Sequence, residues 1–269
     1  MSRNRSRTEA VVARFDWLSA AFVLGGLLLC YYLVPLVSLV LSQPPGAVLR
    51  SLQSPIVRSA AATSLTASLL STAIAAVFGL GLAYWLAHTE GPLATLVTSL
   101  VVLPLVLPPV VSGMLLLTVV GPGTLVGQLA AANGVALTRS FAGVVLAQTF
   151  VASPFVVITA KAAFESVDRS LEDAARTLGQ DRFGTFRRVT LPLAWPGVLA
   201  GITLAFARAM GEFGATVMLA YYPRTMPVQI WVSFSNQGLE TAFPVAVVLV
   251  GVAVATILVL NVLGTNPLE

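Results

Sequence analysis

The chain has 269 residues, of which 57% are hydrophobic and only 10% charged, and its formal net charge is +4 at pH 7. A soluble domain carries about 25% charged residues, so this composition excludes an ordinary soluble domain and indicates that the lipid bilayer is the solvent. Cys30 is the only cysteine and His88 the only histidine, which excludes disulfide frameworks and metal sites built from several Cys or His ligands. The basic balance is interpreted as membrane topology rather than nucleic-acid binding.

Six apolar stretches are each long enough to cross the hydrocarbon core, which takes about 20 residues in a helix. In chain order they span residues 17–41, 56–87, 93–120, 141–164, 195–221 and 242–263. We therefore predict an all-α, polytopic bundle of six transmembrane helices. It forms one domain over residues 17–264, between a tail of residues 1–16 and a short tail of residues 265–269. The first stretch exceeds the apolar core of a signal peptide, about 7–15 residues, and is interpreted as a retained span.

The basic residues predict the orientation in the membrane. One group precedes the first span and a second lies between the fourth and fifth spans. These groups are Arg3, Arg5, Arg7 and Arg14, and then Lys161, Arg169, Arg176, Arg182, Arg187 and Arg188. Because positively charged segments stay in the cytoplasm, both segments and the N-terminus are predicted to be cytoplasmic. Six crossings then return the C-terminus to the cytoplasm and leave Arg50, Arg58, Arg139 and Arg224 outside.

The charged segment between the fourth and fifth spans holds a spaced pattern. Asp173-Ala174-Ala175 is followed after three residues by Gly179 and, after nine more, by Val189-Thr190-Leu191-Pro192. This resembles the EAA cytoplasmic loop of ABC-importer permeases, which reads Glu-Ala-Ala, three residues, Gly, nine residues, Ile, one residue and Leu-Pro. Asp173 replaces Glu and Val189 replaces Ile. The resemblance implies a type I ABC-importer permease fold whose loop, about residues 165–195, meets a separate ATPase.

The residue types also predict the secondary structure of this loop. A short helix is predicted over residues 171–178, with Glu172 and Asp173 in its first turn, where the helix dipole favours negative charge. Ala174 and Ala175 offer a small-residue surface to a partner, and Gly179 ends the helix in the left-handed conformation. The alternative is an ordinary amphipathic loop.

A second short helix is predicted over residues 182–189. It is expected to place Phe183 and Phe186 on one face, with Pro192 and Pro196 marking the entry to the fifth span. The residues predicted to couple to the ATPase are Glu172, Asp173, Ala174, Ala175, Gly179, Phe183, Leu191 and Pro192. The resemblance implies that this chain is not an enzyme and binds no cofactor, because ATP and Mg are held by the ATPase.

A second resemblance points to the solute. Residues 206–215, residues 103–113 and residues 220–228 (Ala-Tyr-Tyr-Pro-Arg-Thr-Met-Pro-Val) resemble segments of permeases for tetrahedral oxyanions, and the last resembles archaeal-type molybdate/tungstate permeases. Together the resemblance covers most of residues 55–260. It implies a homodimer with two ATPase subunits and an external oxyanion-binding protein, importing molybdate or tungstate by alternating access. Sulfate or another oxyanion is the alternative solute.

Two sets of residues within the spans are candidates for the translocation pathway. Arg208 and Glu212 are ionisable residues in an apolar span, four apart on one helix face. Either Arg208 balances the charge of the anion, or the two form a structural pair. In the third span, prolines are expected to interrupt the hydrogen-bond ladder of the helix. The freed carbonyls and a hydroxyl would then line the pathway, and a glycine would let the backbone bend at a gate. The alternative is a static kink filled by neighbouring helices. This second set is Pro104, Pro108, Pro109, Ser112 and Gly113.

Two other classes of membrane protein fit the sequence less well. A secondary transporter would carry coupling carboxylates or broken helices in repeated halves, but Glu212 is the only acidic residue deep in a span and no repeat is visible. A membrane enzyme would need a nucleophile–base set or metal ligands. His88 is interpreted as an interfacial residue beside Glu90 rather than a proton relay. The chain has no GxxxxGK[ST] motif for binding ATP phosphates.

Overall fold

The computed structural model describes the backbone of residues 3–264 and the side chains of residues 19–258. The predicted tail of residues 265–269 lies outside this part. The described chain is helical, without strands. Its elements are α1 (Arg3–Leu41), α2 (Pro45–Gln53), α3 (Pro55–Ala87), α4 (Pro92–Val106), α5 (Pro109–Val120), α6 (Leu125–Ala132), α7 (Phe141–Glu165), α8 (Arg169–Thr177), α9 (Arg182–Thr185), a π-helical turn (Phe186–Thr190), α10 (Leu191–Met210), α11 (Gly214–Leu219), α12 (Met226–Gln237) and α13 (Leu239–Gly264).

The chain divides into two compact units, residues 1–49 and residues 50–269. The first unit contains α1, whose helix begins at Arg3 and so includes most of the predicted N-terminal tail. Residues Ser19–Leu41 of α1 have a mean hydropathy of 2.2 and can span a membrane. The second unit contains α3 to α13 and all the candidate site residues.

Within the described residues, five helical segments are long and apolar enough to cross a membrane, and the α4–α5 pair makes a sixth if it counts as one bent span. The five segments are Ser19–Leu41, Pro55–Ala87, Phe141–Glu165, Arg182–Met210 and Leu239–Leu258. The all-α bundle of up to six spans is therefore confirmed, with corrections to the third and fifth predicted spans.

The third predicted span is broken between α4 and α5, which meet at an angle of 118°. Pro104 lies inside α4 and does not interrupt it. The break falls at Leu107 and Pro108, which have extended ψ angles of 138° and 133°. Each of these residues precedes a proline, and proline disfavours the helical conformation of the residue before it. The bend therefore depends on Pro108 and Pro109, whereas Pro104 removes one backbone hydrogen bond from the ladder without ending α4.

The fifth predicted span, residues 195–221, is wrong at both ends. The spanning segment begins at Arg182 and passes through Pro192 and Pro196 without separation. Pro192 is tolerated because it lies in the first turn of α10. At the other end the helix stops at Met210, and α11 begins only at Gly214. A carboxylate oxygen of Glu212 accepts a 2.7 Å hydrogen bond from the Ala215 N–H, which fixes the start of α11.

The core lies where α3, α7 and α10 pack together. The face that α3 buries consists mainly of small residues, among them Ala60, Ser64, Ala67, Ser71 and Ala75. On α10, a Cβ placed on Gly201 would lie 3.0 Å from the Thr159 Cβ of α7. Small residues at these contacts allow membrane helices to approach closely.

Candidate functional site

The loop between α7 and α10 begins with the predicted short helix, α8. It starts at Arg169, two residues earlier than predicted, because Asp168 Oδ1 accepts a 2.9 Å hydrogen bond from the Ser170 N–H. This hydrogen bond lowers the pKa of the exposed Asp168 carboxyl, since it stabilises the ionised form. The carboxylate is therefore an N-cap that favours the helix start.

Helix α8 ends as the sequence predicts. Gly179 has a φ of +88°, a left-handed conformation that glycine adopts without strain. The Gly179 N–H donates to the Arg176 carbonyl and the Gln180 N–H to the Ala175 carbonyl, each at 3.0 Å. This pair of bonds is a Schellman motif, which satisfies carbonyls at the end of a helix. The chain is thereby turned sharply toward α9.

The second predicted helix is α9 followed by a π-helical turn. Asp181 Oδ1 caps α9 by accepting a 2.7 Å hydrogen bond from the Gly184 N–H. The Leu191 N–H bonds to the Phe186 carbonyl, five residues back, and the helix then continues into α10. The prediction that Phe183 and Phe186 share a face was wrong: Phe183 is 67% exposed, whereas Phe186 packs against Tyr84, with ring centroids 4.9 Å apart.

Glu172 connects α8 to two spans. Its side chain is buried, at 3% exposure. Thr190 Oγ1, at the start of α10, donates to its Oε1 over 2.5 Å. His88 Nε2, at the end of α3, lies 3.0 Å from its Oε2. Arg176 Nη2 lies 3.9 Å from the same oxygen. Glu172 is therefore held inside the loop by bonds to both spans.

His88 is oriented by a second hydrogen bond. Its Nδ1 lies 2.9 Å from the Tyr84 carbonyl oxygen, which can only accept a proton. Nδ1 is therefore the donor, and Nε2 can donate to the Glu172 carboxylate only when the ring carries both protons. The contact is then an ion pair supported by a hydrogen bond. The prediction that His88 is merely interfacial beside Glu90 missed this role.

An aromatic cluster surrounds this contact. Tyr84, Phe164 and Phe186 form a triangle of edge-to-face rings with centroids 4.9 to 5.8 Å apart. Tyr84 also stacks against the His88 ring at 4.2 Å. These rings come from α3, α7 and the π-helical turn. We call His88, Glu172 and Thr190 together the loop anchor, because they fix α8 to this cluster.

The pKa of Glu172 reflects these contacts. Burial alone would raise it, but the hydrogen bonds from Thr190 and His88, with the positive charges of His88 and Arg176, lower it below the usual range for a glutamate. The carboxylate is thus ionised and fully bonded. An ionised acceptor between two spans makes the anchor sensitive to loss of either partner.

The other loop residues divide between an exposed surface and the core. Asp173, Ala174, Gly179 and Phe183 are exposed, as are the apolar Leu171 and Leu178 at 47% and 83%. Ala175 and Leu191 are half-buried, Leu191 against the core, and Pro192 is exposed at the start of α10. Of the residues predicted for ATPase coupling, Glu172 lies beneath this surface rather than on it.

The structure joins Arg208 and Glu212 in an ion pair of 2.6 Å. Glu212 is 1% exposed and its other oxygen binds the Ala215 N–H. The Arg208 side chain is 27% exposed. Of the two alternatives for this pair, the geometry favours the structural one, because Glu212 links the end of α10 to the start of α11.

Pro108, Pro109, Ser112 and Gly113 lie where α5 meets α11. Ser112 is fully buried, Pro109 half-buried and Pro108 exposed. Helix α5 runs through Gly113 without a break, so this conformation has no bend there, and bending at a gate stays a prediction. A Cβ on Gly113 would lie only 2.8 Å from the Ala215 carbonyl oxygen. Gly113 therefore permits close packing of α5 on α11.

The described residues thus form a helical membrane bundle whose helix–Gly–helix loop is anchored to two spans. A family model described as the binding-protein-dependent transport system inner membrane component matches residues 75–265. The chain belongs to this family and is therefore a multi-pass membrane permease component. Within the described residues, no three His, Cys, Asp or Glu side chains group as metal ligands.

Several curated relatives are similar along most of the chain. It is 57% identical over 270 residues to a probable molybdenum ABC transporter permease protein of Haloferax volcanii, covering 99% of both. It is 36% identical over 251 residues to the molybdate/tungstate transport system permease protein WtpB of Pyrococcus furiosus, covering 92% of this chain and 96% of that one. It is 38% identical over 202 residues to the molybdenum transport system permease protein ModB of Escherichia coli, covering 73% and 88%.

Solved structures share the fold. One is a bacterial alginate ABC transporter in complex with an alginate pentasaccharide-bound periplasmic protein, with a TM-score of 0.72 at 20% identity, covering 92% of this chain and 94% of that one. Another is the MetNI methionine ABC transporter in inward-facing form, with a TM-score of 0.58 at 17% identity, covering 76% and 90%. The predicted ABC-importer permease fold is confirmed, and the secondary-transporter alternative is excluded by the family.

Proposed function

We propose that this chain is the permease subunit of an ATP-driven importer that moves molybdate or tungstate into the cytoplasm. It acts as a homodimer with two ATP-binding subunits and an external oxyanion-binding protein, with both termini cytoplasmic. The proposal is supported by the three relatives above, whose names specify molybdenum, molybdate or tungstate. ATP and Mg are held by the ATPase, and no nucleic acid is involved.

The observation that carries the proposal is the position of the buried Glu172. It lies beneath an exposed helix surface and bonds to His88 of α3 and Thr190 at the start of α10. A force applied by the ATPase to α8 is thereby transmitted to two membrane spans at once. That surface carries three exposed apolar side chains, Leu171, Leu178 and Phe183, which a partner protein can bury at an interface.

The transmitted movement would open and close the pathway between the two permease copies. Helix α10 ends at Met210 and is joined to α11 by the Glu212 hydrogen bond to the Ala215 N–H. Helix α11 packs closely on α5, at Gly113 and at Gly214, where an added Cβ would lie 2.9 Å from the Pro109 Cβ. A shift of α10 therefore moves α11 and the bent α4–α5 pair with it, and we propose this route for alternating access.

The experiment is ATP hydrolysis by the permease–ATPase complex in proteoliposomes. The binding protein is added empty, or loaded with tungstate, molybdate or sulfate. We expect stimulation by the tungstate- and molybdate-loaded forms, and loss of stimulation in Ala174→Arg, which obstructs the exposed face of α8. The matched control is Ala132→Arg, an equal change at an exposed residue of α6, which should keep stimulation.

The outcomes separate the parts of the proposal. Stimulation by sulfate alone would retain the importer and change its solute. No stimulation by any loaded form, with a complex that hydrolyses ATP, would contradict the importer itself. Equal loss in Ala174→Arg and Ala132→Arg would remove the coupling role of α8.

A further inference from the structure

A cavity lined partly by polar side chains lies at the end of the bundle opposite the loop anchor. Its volume is about 410 Å³, and the first turn of α3 and the start of α12 form its walls. Four side chains with polar groups line it: Ser59, Tyr222, Arg224 and Gln229. The start of α3 and the segment before α12 are on the outer side if the loop with α8 is cytoplasmic. The cavity is thus placed where a solute would enter.

Arg224 is positioned in this cavity with spare donors. Its Nη1 donates a 3.2 Å hydrogen bond to Gln229 Oε1, and its guanidinium carbon lies 5.8 Å from the centre of the Tyr221 ring. Gln229 is 7% exposed and also donates from Nε2 to Ser233 Oγ at 3.1 Å. The guanidinium is therefore held in one orientation by groups that do not neutralise its charge.

One donor of Arg224 lacks an acceptor. Its Nε is shielded from solvent, and no hydrogen-bond partner is found for it among the described residues. A shielded donor without an acceptor carries an energetic cost that a bound acceptor would remove. A guanidinium presents Nε and Nη as a fork that matches two oxygens of one oxyanion. An oxyanion seated against the guanidinium would supply the missing acceptor once the groups that shield Nε move aside.

The surrounding charge agrees with an anionic ligand. Residues 42–55, 121–140 and 222–241, which the predicted topology places on the outer side, contain Arg50, Arg139 and Arg224 but only one acidic residue, Glu240. No carboxylate lines the cavity. A surface with one sign of charge attracts ligands of the opposite sign and raises their local concentration.

We propose that this cavity is an entry subsite, in which Arg224 binds a free tetrahedral oxyanion before it passes into the pathway. The inference depends on the proposed function for the identity of the solute. Ser59 and Gln229 supply polar contacts beside the guanidinium. A single cation in a partly open cavity should bind weakly, as passage requires.

Binding is tested on the purified complex of the full chain with its ATPase, in nanodiscs of neutral lipid and without the binding protein. Sodium tungstate is titrated against the thermal unfolding midpoint, since a ligand that binds the folded state raises it. Sodium chloride at equal ionic strength is the salt control. We expect tungstate to raise the midpoint, and Arg224→Gln to weaken the apparent affinity at least tenfold. The matched control Arg58→Gln, an exposed arginine of α3 that does not line the cavity, should titrate like the unmodified chain.

Arg224→Lys keeps the charge and removes the Nε fork, so it should lose part of the affinity. If Arg224→Gln does not assemble, Arg224→Lys still tests whether the guanidinium binds tungstate. Unchanged tungstate affinity in either variant would overturn the proposal. So would an Arg224-dependent shift produced by phosphatidylglycerol nanodiscs in place of tungstate, because the site would then hold a lipid phosphate. These outcomes differ from failure of the importer, which would appear as absent stimulation by a loaded binding protein.

Discussion

Glu172 and His88 are 84 residues apart in the sequence, and their side chains meet at 3.0 Å between α8 and the end of α3. Because Glu172 also binds Thr190, one buried carboxylate joins α8 to the ends of α3 and α10. These contacts attach the exposed loop rigidly to both spans.

The two partners should show energetic coupling in a double-mutant cycle. His88→Ala and Glu172→Ala should each destabilise the folded chain. The double variant should lose less stability than the sum of the two single losses. A buried carboxylate that loses a charged partner costs about 3–5 kcal/mol where the pair is fully buried, and less here because His88 is partly exposed. The measurement is the free energy of unfolding of the four proteins. Additive losses would show that the two side chains do not interact.

Thr190→Val removes the donor to Glu172 Oε1 with little change of shape. We expect destabilisation of about 1–3 kcal/mol, because a buried acceptor is left without its partner. Thr66→Val is the control, since its hydroxyl bonds only within its own helix, to carbonyls of Ala62 and Thr63. Similar losses in both variants would contradict a specific role for Thr190.

Gly179→Ala should strain the turn after α8. A non-glycine residue in the left-handed region costs roughly 1–2 kcal/mol, and here nothing else crowds the site. We expect a lower unfolding midpoint and weaker recovery of the ATPase when the complex is purified. The control is Gly81→Ala in α3, where an added Cβ meets open space. It should raise the unfolding midpoint or leave it unchanged. A Gly179→Ala variant as stable and as well assembled as the original chain would remove the requirement for glycine.

The stability contributed by Glu172 should depend on pH in a defined direction. Its folded-state pKa is lowered, so the contribution is fully present above the ordinary glutamate pKa of about 4.3 and is lost as the pH falls through the lowered value. The difference in unfolding midpoint between the chain and Glu172→Gln should therefore persist at about pH 5 and shrink only below about pH 4. A difference already lost at about pH 5 would contradict the lowered pKa.

Arg208 should act as a structural partner of Glu212. Arg208→Gln should lower the unfolding midpoint, because the buried carboxylate loses its 2.6 Å partner. The amount of tungstate imported per ATP hydrolysed should stay within about twofold in the protein that assembles. An import ratio reduced tenfold or more, with unchanged stability, would instead assign Arg208 to the translocation pathway.

Local features of the loop were predictable from sequence, and long-range contacts were not. Gly179 and the helix before it follow from residues that are neighbours in the chain, and the structure confirms them. The contact between His88 and Glu172 crosses 84 residues, and no spacing rule connects a lone histidine at one span end with a glutamate in a later loop. The family resemblance implied a coupling role for the loop, but it did not reveal the buried anchor beneath it.

The ends of the spans were also not predictable from the sequence. Apolar composition continues from residue 195 to residue 221, so hydropathy alone joins α10 to α11. The break between them depends on the hydrogen bond that the Glu212 carboxylate accepts from the Ala215 N–H. The sequence did not indicate this bond, because the spacing of the charged residues pairs Glu212 with Arg208. The π-helical turn at Phe186–Thr190 likewise has no signal in the residue pattern.

The most direct test of the account compares tungstate import with ATP hydrolysis in the same proteoliposomes, for the unmodified chain, Glu172→Ala and Glu165→Ala. Glu165 is the matched control, because it pairs with Lys161 on the exposed end of α7 rather than joining α8 to other spans. We expect Glu172→Ala to lower tungstate imported per ATP at least fivefold, while Glu165→Ala keeps the original ratio. An unchanged ratio in assembled Glu172→Ala would contradict the claim that this carboxylate transmits the force of ATP hydrolysis to the membrane spans.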